Sequence, residues 1–143
     1  MRTRSSILIL CIALLSCTSD PTVPGDQPVT LSLRNAGTKP LLCRLMFGHW
    51  VDRDLGTLAP GGAVPLEMTQ AAADGALYIL RSDGERKMMI ETIQCAQSGD
   101  WMRSFAQVDF APVRSRRVRA IEASCAAPPD AARVACRLDR IEE

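Results

Sequence analysis

The chain has 143 residues, with 17 basic and 16 acidic side chains, six cysteines and a single histidine. This length accommodates one domain with one hydrophobic core. The balanced charge gives no field that would attract a polyanion, so we predict no nucleic-acid partner. One histidine excludes metal sites that take two imidazoles from the same chain, and we predict no metal or cofactor.

The first residues have the layout of a secretory signal. Arg2 and Arg4 precede an unbroken apolar run at residues 7–15, and a serine and Cys17 follow the run. A helix that spans a membrane needs about 20 apolar residues, so this run is too short to form a stable span. We therefore predict a signal peptide at residues 1–16.

The end of this signal, Leu14-Leu15-Ser16-Cys17, resembles the lipobox of bacterial lipoproteins. The resemblance implies that Cys17 is diacylated and becomes the mature N-terminus, which would anchor the chain permanently in a membrane. Because the next residue is Thr18 and not aspartate, the resemblance also implies the outer membrane. The alternative is an ordinary cleaved signal, which would leave a soluble periplasmic or secreted protein with no role for Cys17.

Residues 17–27 are the predicted linker between the anchor and the domain. The stretch has almost no apolar side chains, and Pro21, Pro24 and Gly25 favour an extended spacer. A single β-sandwich domain is predicted over residues 28–143.

Alternation of apolar and polar residues predicts strands in most of this domain. The Asp83-Gly84 pair is a strong hairpin signal. Pro65 predicts an edge position, because proline has no N–H to donate to a neighbouring strand. Six strands are predicted before residue 111, at residues 29–34, 41–51, 64–68, 76–80, 87–95 and 101–110.

The C-terminal segment fits two templates. Alternation from Val134 to Leu138 predicts a strand, whereas a period of 3.6 over residues 131–141 fits a helix. We prefer a hairpin of residues 118–125 with residues 133–138, because it places two cysteines opposite each other.

These elements predict an all-β domain, either a small antiparallel β-sandwich or a compact barrel, with that C-terminal hairpin. Two turn motifs, Leu33 to Leu41 and Leu58 to Gly62, resemble the early hairpin of immunoglobulin-like sandwiches in envelope proteins. The resemblance implies an architecture and carries no function.

Four cysteines remain once Cys11 is removed with the signal and Cys17 is assigned to lipid. An even set of thiols in an exported protein usually pairs as disulfides, and four cysteines allow three pairings. A zinc site or a redox-active pair is a poorer explanation, because no two of these cysteines have the CxxC spacing. The predicted disulfides are Cys43 with Cys95 and Cys125 with Cys136.

The predicted binding patch is a cluster of polar and aromatic side chains, namely His49, Trp50, Asp52 and Trp101. Exposed aromatic side chains dominate many recognition surfaces. The alternative is that both tryptophans belong to the core or its margin.

A catalytic interpretation would make His49 a general base, oriented by Asp52 or Asp54, with Ser104 or Thr92 as the nucleophile. No sequence motif joins these residues, and the Gly-x-Ser-x-Gly nucleophile elbow is absent from the sequence. We therefore predict that the protein is not an enzyme.

The sequence thus predicts a small exported envelope protein, lipid-anchored through Cys17, that acts as a non-enzymatic binding or structural module for an envelope partner. The first alternative is a periplasmic or secreted inhibitor of a hydrolase, because small disulfide-bonded β domains often present a loop to an enzyme cleft. A hydrolase that uses His49 is the second alternative.

Overall fold

The computed structural model describes residues 25–48, 51–81, 84, 86–129 and 132–143. The predicted signal, Cys17, His49 and Trp50 lie outside these ranges. The described residues form nine strands and two single-turn helices, and the all-β prediction is confirmed. In chain order the elements are β1 (Gln27–Asn35), β2 (Leu41–Phe47), β3 (Asp52–Leu58), β4 (Ala63–Gln70), β5 (Leu77–Leu80), β6 (Lys87–Gln97), α1 (Trp101–Ser104), β7 (Ala106–Gln107), α2 (Ala111–Arg114), β8 (Ala120–Ala126) and β9 (Ala135–Glu142).

The strands form one hydrogen-bonded path in the order β3-β2-β6-β5-β4-β1-β8-β9, with β7 paired to β6. The long strand β6 belongs to both halves of this path. Its residues 87–89 pair with β5, and its residues 90–97 pair with β2. Among the described strands the path ends at β3 and β9 and does not close, which is a correction to the alternative of a compact barrel.

One pair departs from the predicted antiparallel arrangement. Strands β1 and β8 run parallel, from the pair Thr30 and Ala120 to the pair Asn35 and Cys125. The long connection between these strands imposes no hairpin, so it allows either direction. The two strands that begin and nearly end the domain therefore lie side by side.

The path folds over itself around a single core. The sulfur atoms of Cys95 in β6, Cys125 in β8 and Cys136 in β9 lie within 4.8 Å of one another, although three strands lie between β6 and β8 in the path. Inward-facing apolar side chains of both halves belong to one buried cluster. The half of the sheet that contains β2 and the second part of β6 thus packs against the half that contains β1 and β8.

The alternating pattern explains the strands that the sequence predicts well. In β1, Val29, Leu31 and Leu33 are at most 1% exposed, and the residues between them are exposed. A register slip of one residue would place all three apolar side chains in water, so burial fixes the pairing. At Pro65 the only paired neighbour of β4 in the described chain is β1, because β5 pairs only with residues 69–70.

The segment at residues 101–110, predicted as a strand, is mostly not one. It consists of the helical turn α1, the two-residue strand β7 and an irregular stretch. The Ser104 hydroxyl donates to the Asp100 carbonyl and accepts from the Gln97 main-chain nitrogen, which closes a turn where the strand would have continued. As a result Met102 is turned outward and is 80% exposed.

Strand β3 was not predicted. It carries the polar sequence Asp52-Arg53-Asp54 and buries only Leu58 fully, so it shows no clear alternation. Its pairing with β2 is interrupted by a bulge after Cys43. As an end strand with charged side chains, β3 discourages pairing with a further chain.

Both predicted disulfides are present, and each joins residues directly opposite on paired strands. Cys43–Cys95 links β2 to β6, and Cys125–Cys136 links β8 to β9. The C-terminal hairpin is thereby confirmed over the helix. Two disulfides are typical of proteins in an oxidising extracellular or periplasmic environment. Within the described ranges, no helix has the length and hydrophobicity needed to span a membrane.

Candidate functional site

A surface cleft of about 470 Å³ lies beside the β2–β3 hairpin and the start of β6. Two of its apolar side chains are widely open to solvent, Val51 at 48% and Met89 at 47% exposure. Apolar side chains that converge on a concave surface are typical of binding sites. We call this the hairpin cleft, and it is lined by Phe47, Gly48, Val51, Arg81, Arg86, Lys87, Met88 and Met89.

The geometry of β6 brings these residues together. The pairing of β6 with β2 shifts between Met46 and Phe47, which marks a bulge. Bulges bend a strand and increase its twist. This bulge lies where β6 passes from β5 to β2, at the position of the hairpin cleft.

Cationic side chains accompany the apolar lining of the cleft. Arg81 and Lys87 contribute to its wall. The guanidinium carbon of Arg53 lies 5.7 Å from the centroid of the buried Phe47 ring, close enough for a cation–π contact. The hairpin cleft therefore combines an apolar surface with positive charge, which disfavours a basic ligand.

The structure links two residues of the predicted binding patch through Arg44, which the sequence analysis did not identify. An Arg44 guanidinium nitrogen lies 3.5 Å from an Asp52 carboxylate oxygen, and the guanidinium carbon lies 4.4 Å from the centroid of the Trp101 ring. Trp101 is half-buried under this contact. His49 and Trp50 are not among the described residues.

The residues of the catalytic interpretation are engaged by main-chain groups. The Thr92 hydroxyl donates to the Val108 carbonyl at 2.9 Å, and the Ser104 hydroxyl donates to the Asp100 carbonyl. The Asp54 carboxylate accepts from the Gly56 nitrogen at 2.7 Å. These bonds fix a strand connection and two turns.

Where the chain enters the domain, a buried carboxylate, that of Asp26, lies next to the hairpin cleft. One Asp26 oxygen accepts from the Tyr78 hydroxyl at 2.6 Å and from the Lys87 ammonium at 2.8 Å. The other oxygen accepts from the Ala72 nitrogen at 2.9 Å, and the side chain is 3% exposed. We call this group the Asp26 clamp. Asp26 and Gln27, assigned to the linker from the sequence, are thus held within the fold.

The clamp changes the proton affinity of all three groups. The bond from Lys87, and then the bond from Tyr78, hold the pKa of Asp26 well below its ordinary value of 3.8. The bond to Asp26 raises the pKa of Lys87. Burial, and then the bond to Asp26, raise the pKa of Tyr78.

We predict that the clamp contributes its full stabilisation between about pH 4 and about pH 10 and loses it progressively outside this range. The lowered pKa of Asp26 gives a contribution that is full above its unfolded pKa and is lost as the pH falls. The raised pKa values of Lys87 and Tyr78 give contributions that are full below their unfolded pKa values and are lost as the pH rises. Urea unfolding of the wild type and of Asp26→Asn should show a stability difference that shrinks below about pH 4. A difference that stays constant down to about pH 2 would contradict this assignment.

Sequence reasoning missed most residues of the hairpin cleft, although one signal was present. Met88 and Met89 are adjacent in a predicted strand, and neighbouring strand residues point to opposite faces. One of the two therefore had to leave the core, and it is Met89. Arg81 and Val51 carry no such local signal, because the folded hairpins bring them to the cleft.

No protein-family model and no curated protein matches the chain. Among solved structures, an NMR structure of a protein from Eubacterium rectale is similar with a TM-score of 0.47 and 11% sequence identity, covering 83% of this chain and 95% of that chain. The inference of function therefore depends on the surface chemistry of this chain.

Proposed function

We propose that this protein is an exported envelope protein, lipid-anchored through Cys17, that acts as a non-enzymatic binding module. The signal layout of residues 1–16 and the two disulfides support export. The run that ends at Cys17 supports the anchor, and Thr18 favours the outer membrane. The domain would then face the periplasm on its linker.

The observation that carries the binding function is the exposed apolar surface of the hairpin cleft. Val51 and Met89 are each about half exposed on a concave surface. Covering such surface with a partner is favourable by about 25 cal/mol per Å² of apolar area. Because Arg81 lines the same cleft, whereas the Lys87 ammonium is paired with Asp26, the partner that fits best inserts an apolar side chain flanked by neutral or acidic groups.

A pull-down from detergent-solubilised envelope tests this function. We expect Met89→Asp to reduce recovery of the partner about tenfold, which corresponds to about 1.4 kcal/mol of binding free energy. Met102→Asp is the matched control, because Met102 is 80% exposed and lies on α1, outside the cleft lining. A partner that both variants recover equally, or no partner with the parent protein, would contradict the proposal.

The anchor has its own readout in the same preparation. Mass spectrometry of the native protein should find a diacylated Cys17 at the N-terminus, and Cys17→Ala should move the protein to the soluble fraction. A chain that still begins at Met1 would contradict both export and anchoring. Recovery of a hydrolase whose activity is reduced by the bound protein would favour the inhibitor interpretation.

A further inference from the structure

The densest run of positive charge in the sequence lies where α2 ends and the chain passes to β8. Residues 114–119 contain four arginines and no acidic residue, namely Arg114, Arg116, Arg117 and Arg119. All four side chains are exposed to solvent, and strand β8 begins only at Ala120, so the arginines do not belong to a strand edge. We call this segment the arginine loop.

Buried contacts fix the main chain of the arginine loop. Val113, just before the loop, and Val118 within it are fully buried. The buried Gln70 amide donates to the carbonyls of Val113 at 3.1 Å and Arg116 at 2.9 Å, and its oxygen accepts from the Val118 nitrogen at 3.0 Å. The loop therefore presents its charges from a fixed backbone, so little backbone freedom is lost when a ligand covers them.

Neighbouring side chains leave most of this charge unneutralised. In the part of the chain that the structure describes, Arg114, Arg117 and Arg119 form no ion pair. A guanidinium nitrogen of Arg116 lies 3.8 Å from a Glu143 carboxylate oxygen, but both side chains are more than half exposed. Ion pairs with that exposure contribute little, so the Arg116 guanidinium can exchange Glu143 for another anion.

The arginine loop adjoins the point where the chain enters the domain. A surface pocket of about 290 Å³ is lined by residues 70–75 and 114–117, with Asp74 as the one acidic side chain in its lining. A guanidinium nitrogen of Arg117 donates to the Gly25 carbonyl at 2.8 Å. The next residue, Asp26, accepts from the nitrogen of Ala72 in the pocket wall. The loop thus contacts Gly25, the first described residue.

The predicted lipid anchor is close to this contact along the chain. Cys17 precedes Gly25 by eight residues, and a chain of that length spans at most about 28 Å. A domain of this size has a radius of gyration of about 13 Å and is about 35 Å across. The linker is therefore shorter than the domain, and a lipid on Cys17 keeps the arginine loop nearer to the membrane than the opposite end of the domain.

We propose that the arginine loop docks on the head groups of anionic phospholipids in the membrane that holds the Cys17 anchor. This rests on the proposed anchor and is separate from binding in the hairpin cleft. A guanidinium pairs with phosphate oxygens through two parallel hydrogen bonds, and each basic residue near an anionic membrane strengthens binding about fivefold. Because the anchor makes the encounter intramolecular, a weak affinity of the loop is enough to keep it docked.

Chemical modification of arginines on vesicles tests the proposal. The mature protein, purified from the envelope in detergent with its lipid, is added to vesicles of phosphatidylcholine, alone or mixed with phosphatidylglycerol, and treated with phenylglyoxal. Mass spectrometry gives the rate at each arginine. We expect Arg114, Arg116 and Arg117 to react about fivefold more slowly on the anionic vesicles, and high salt should remove this protection. Arg103, exposed on α1, should react equally on both.

Charge reversal provides a second measurement. In the double variant Arg114→Glu with Arg117→Glu, the remaining Arg116 should lose its protection on anionic vesicles. The matched control is Arg103→Glu with Arg133→Glu, which makes the same change of charge at two exposed positions. The length of β9 places Arg133 roughly 25 Å from the end of that strand that contacts the loop. The control should keep Arg116 protected, and the opposite result for either variant would overturn the proposal.

Flotation of the vesicles separates failure of the anchor from failure of docking. Protein that floats with both kinds of vesicle, but whose loop arginines react equally on both, overturns docking and leaves the anchor in place. Protein that floats with neither carries no lipid, which overturns the anchor and docking together. Protection on neutral vesicles by inorganic phosphate, or only by added envelope proteins, would assign the loop to a free anion or an acidic protein and overturn docking on lipid.

Discussion

Replacing Gln70 by glutamate is expected to lower the free energy of unfolding by about 3 to 5 kcal/mol. The side chain is 1% exposed and lies where β4 meets the loops before β5 and β8. The two N–H groups of its amide are shared among three main-chain carbonyls, and its oxygen accepts two hydrogen bonds. The partners are the carbonyls of Val113 (3.1 Å), Arg116 (2.9 Å) and Gly75 (3.3 Å) and the nitrogens of Val118 (3.0 Å) and Gln27 (3.1 Å).

The glutamate variant has nearly the same shape, but its ionised carboxylate has no donor. A carboxylate would face three carbonyl oxygens in the interior, so it must either stay charged against them or take up a proton, and both options are unfavourable. Urea unfolding followed by circular dichroism measures the loss. Gln107→Glu is the control, because Gln107 is exposed and should change stability by less than about 0.5 kcal/mol. A loss below about 1 kcal/mol for Gln70→Glu would show that the bonds around Gln70 do not stabilise the fold.

Removing the disulfide between β2 and β6 is expected to have an effect of similar size. Its two cysteines are 52 residues apart, and the Cys125–Cys136 pair is 11 residues apart. In the chain-entropy model the longer loop contributes about 4 kcal/mol and the shorter loop about 3 kcal/mol. The double replacement Cys43→Ala with Cys95→Ala should therefore destabilise the protein more than Cys125→Ala with Cys136→Ala.

Calorimetry of the two double variants and of the parent protein measures the loss of stability in each case and so tests the chain-entropy model. Both cysteines of the first pair are fully buried, so removal of their sulfur atoms adds a packing loss in the same direction. If the C-terminal pair proved the more costly to remove, stability would be governed by fixing the end strand β9 and not by loop closure.

Local patterns predicted the parts of this fold that depend on local physics. The strict alternation in β1 identifies its buried face, and turn chemistry located the β5–β6 hairpin, where Gly84 adopts a left-handed φ of +71°. The cysteine pairing was predicted from the expected oxidising compartment and from the expectation that Cys125 faces Cys136. Each of these inferences needs only neighbouring residues or an even count of thiols.

The elements that the sequence did not predict depend on contacts between distant segments. Nothing in the polar run of β3 predicts a strand, since its partner β2 and not its own pattern holds it in place. The helical turn at Trp101 replaces a strand because the Ser104 hydroxyl finds main-chain partners on both sides.

The sequence also did not predict the structural roles of the buried polar side chains Asp26 and Gln70. Asp26 lies in a stretch with the composition of a linker. Gln70 follows an alternating run, where a polar residue is expected to be exposed to solvent. Lys87 lies 61 residues from Asp26 along the chain, and Val113 lies 43 residues from Gln70. Single-sequence patterns carry no information at that range.

The parallel pairing of β1 with β8 orders the events of maturation. A chain that is synthesised from its N-terminus supplies β1 at the beginning of the domain and β8 close to its end. Until residues 120–126 are available, one edge of β1 has no partner strand, and the formation of such long-range pairs is slow. Throughout that interval the open edge of β1 is a template on which the strand of another chain can pair.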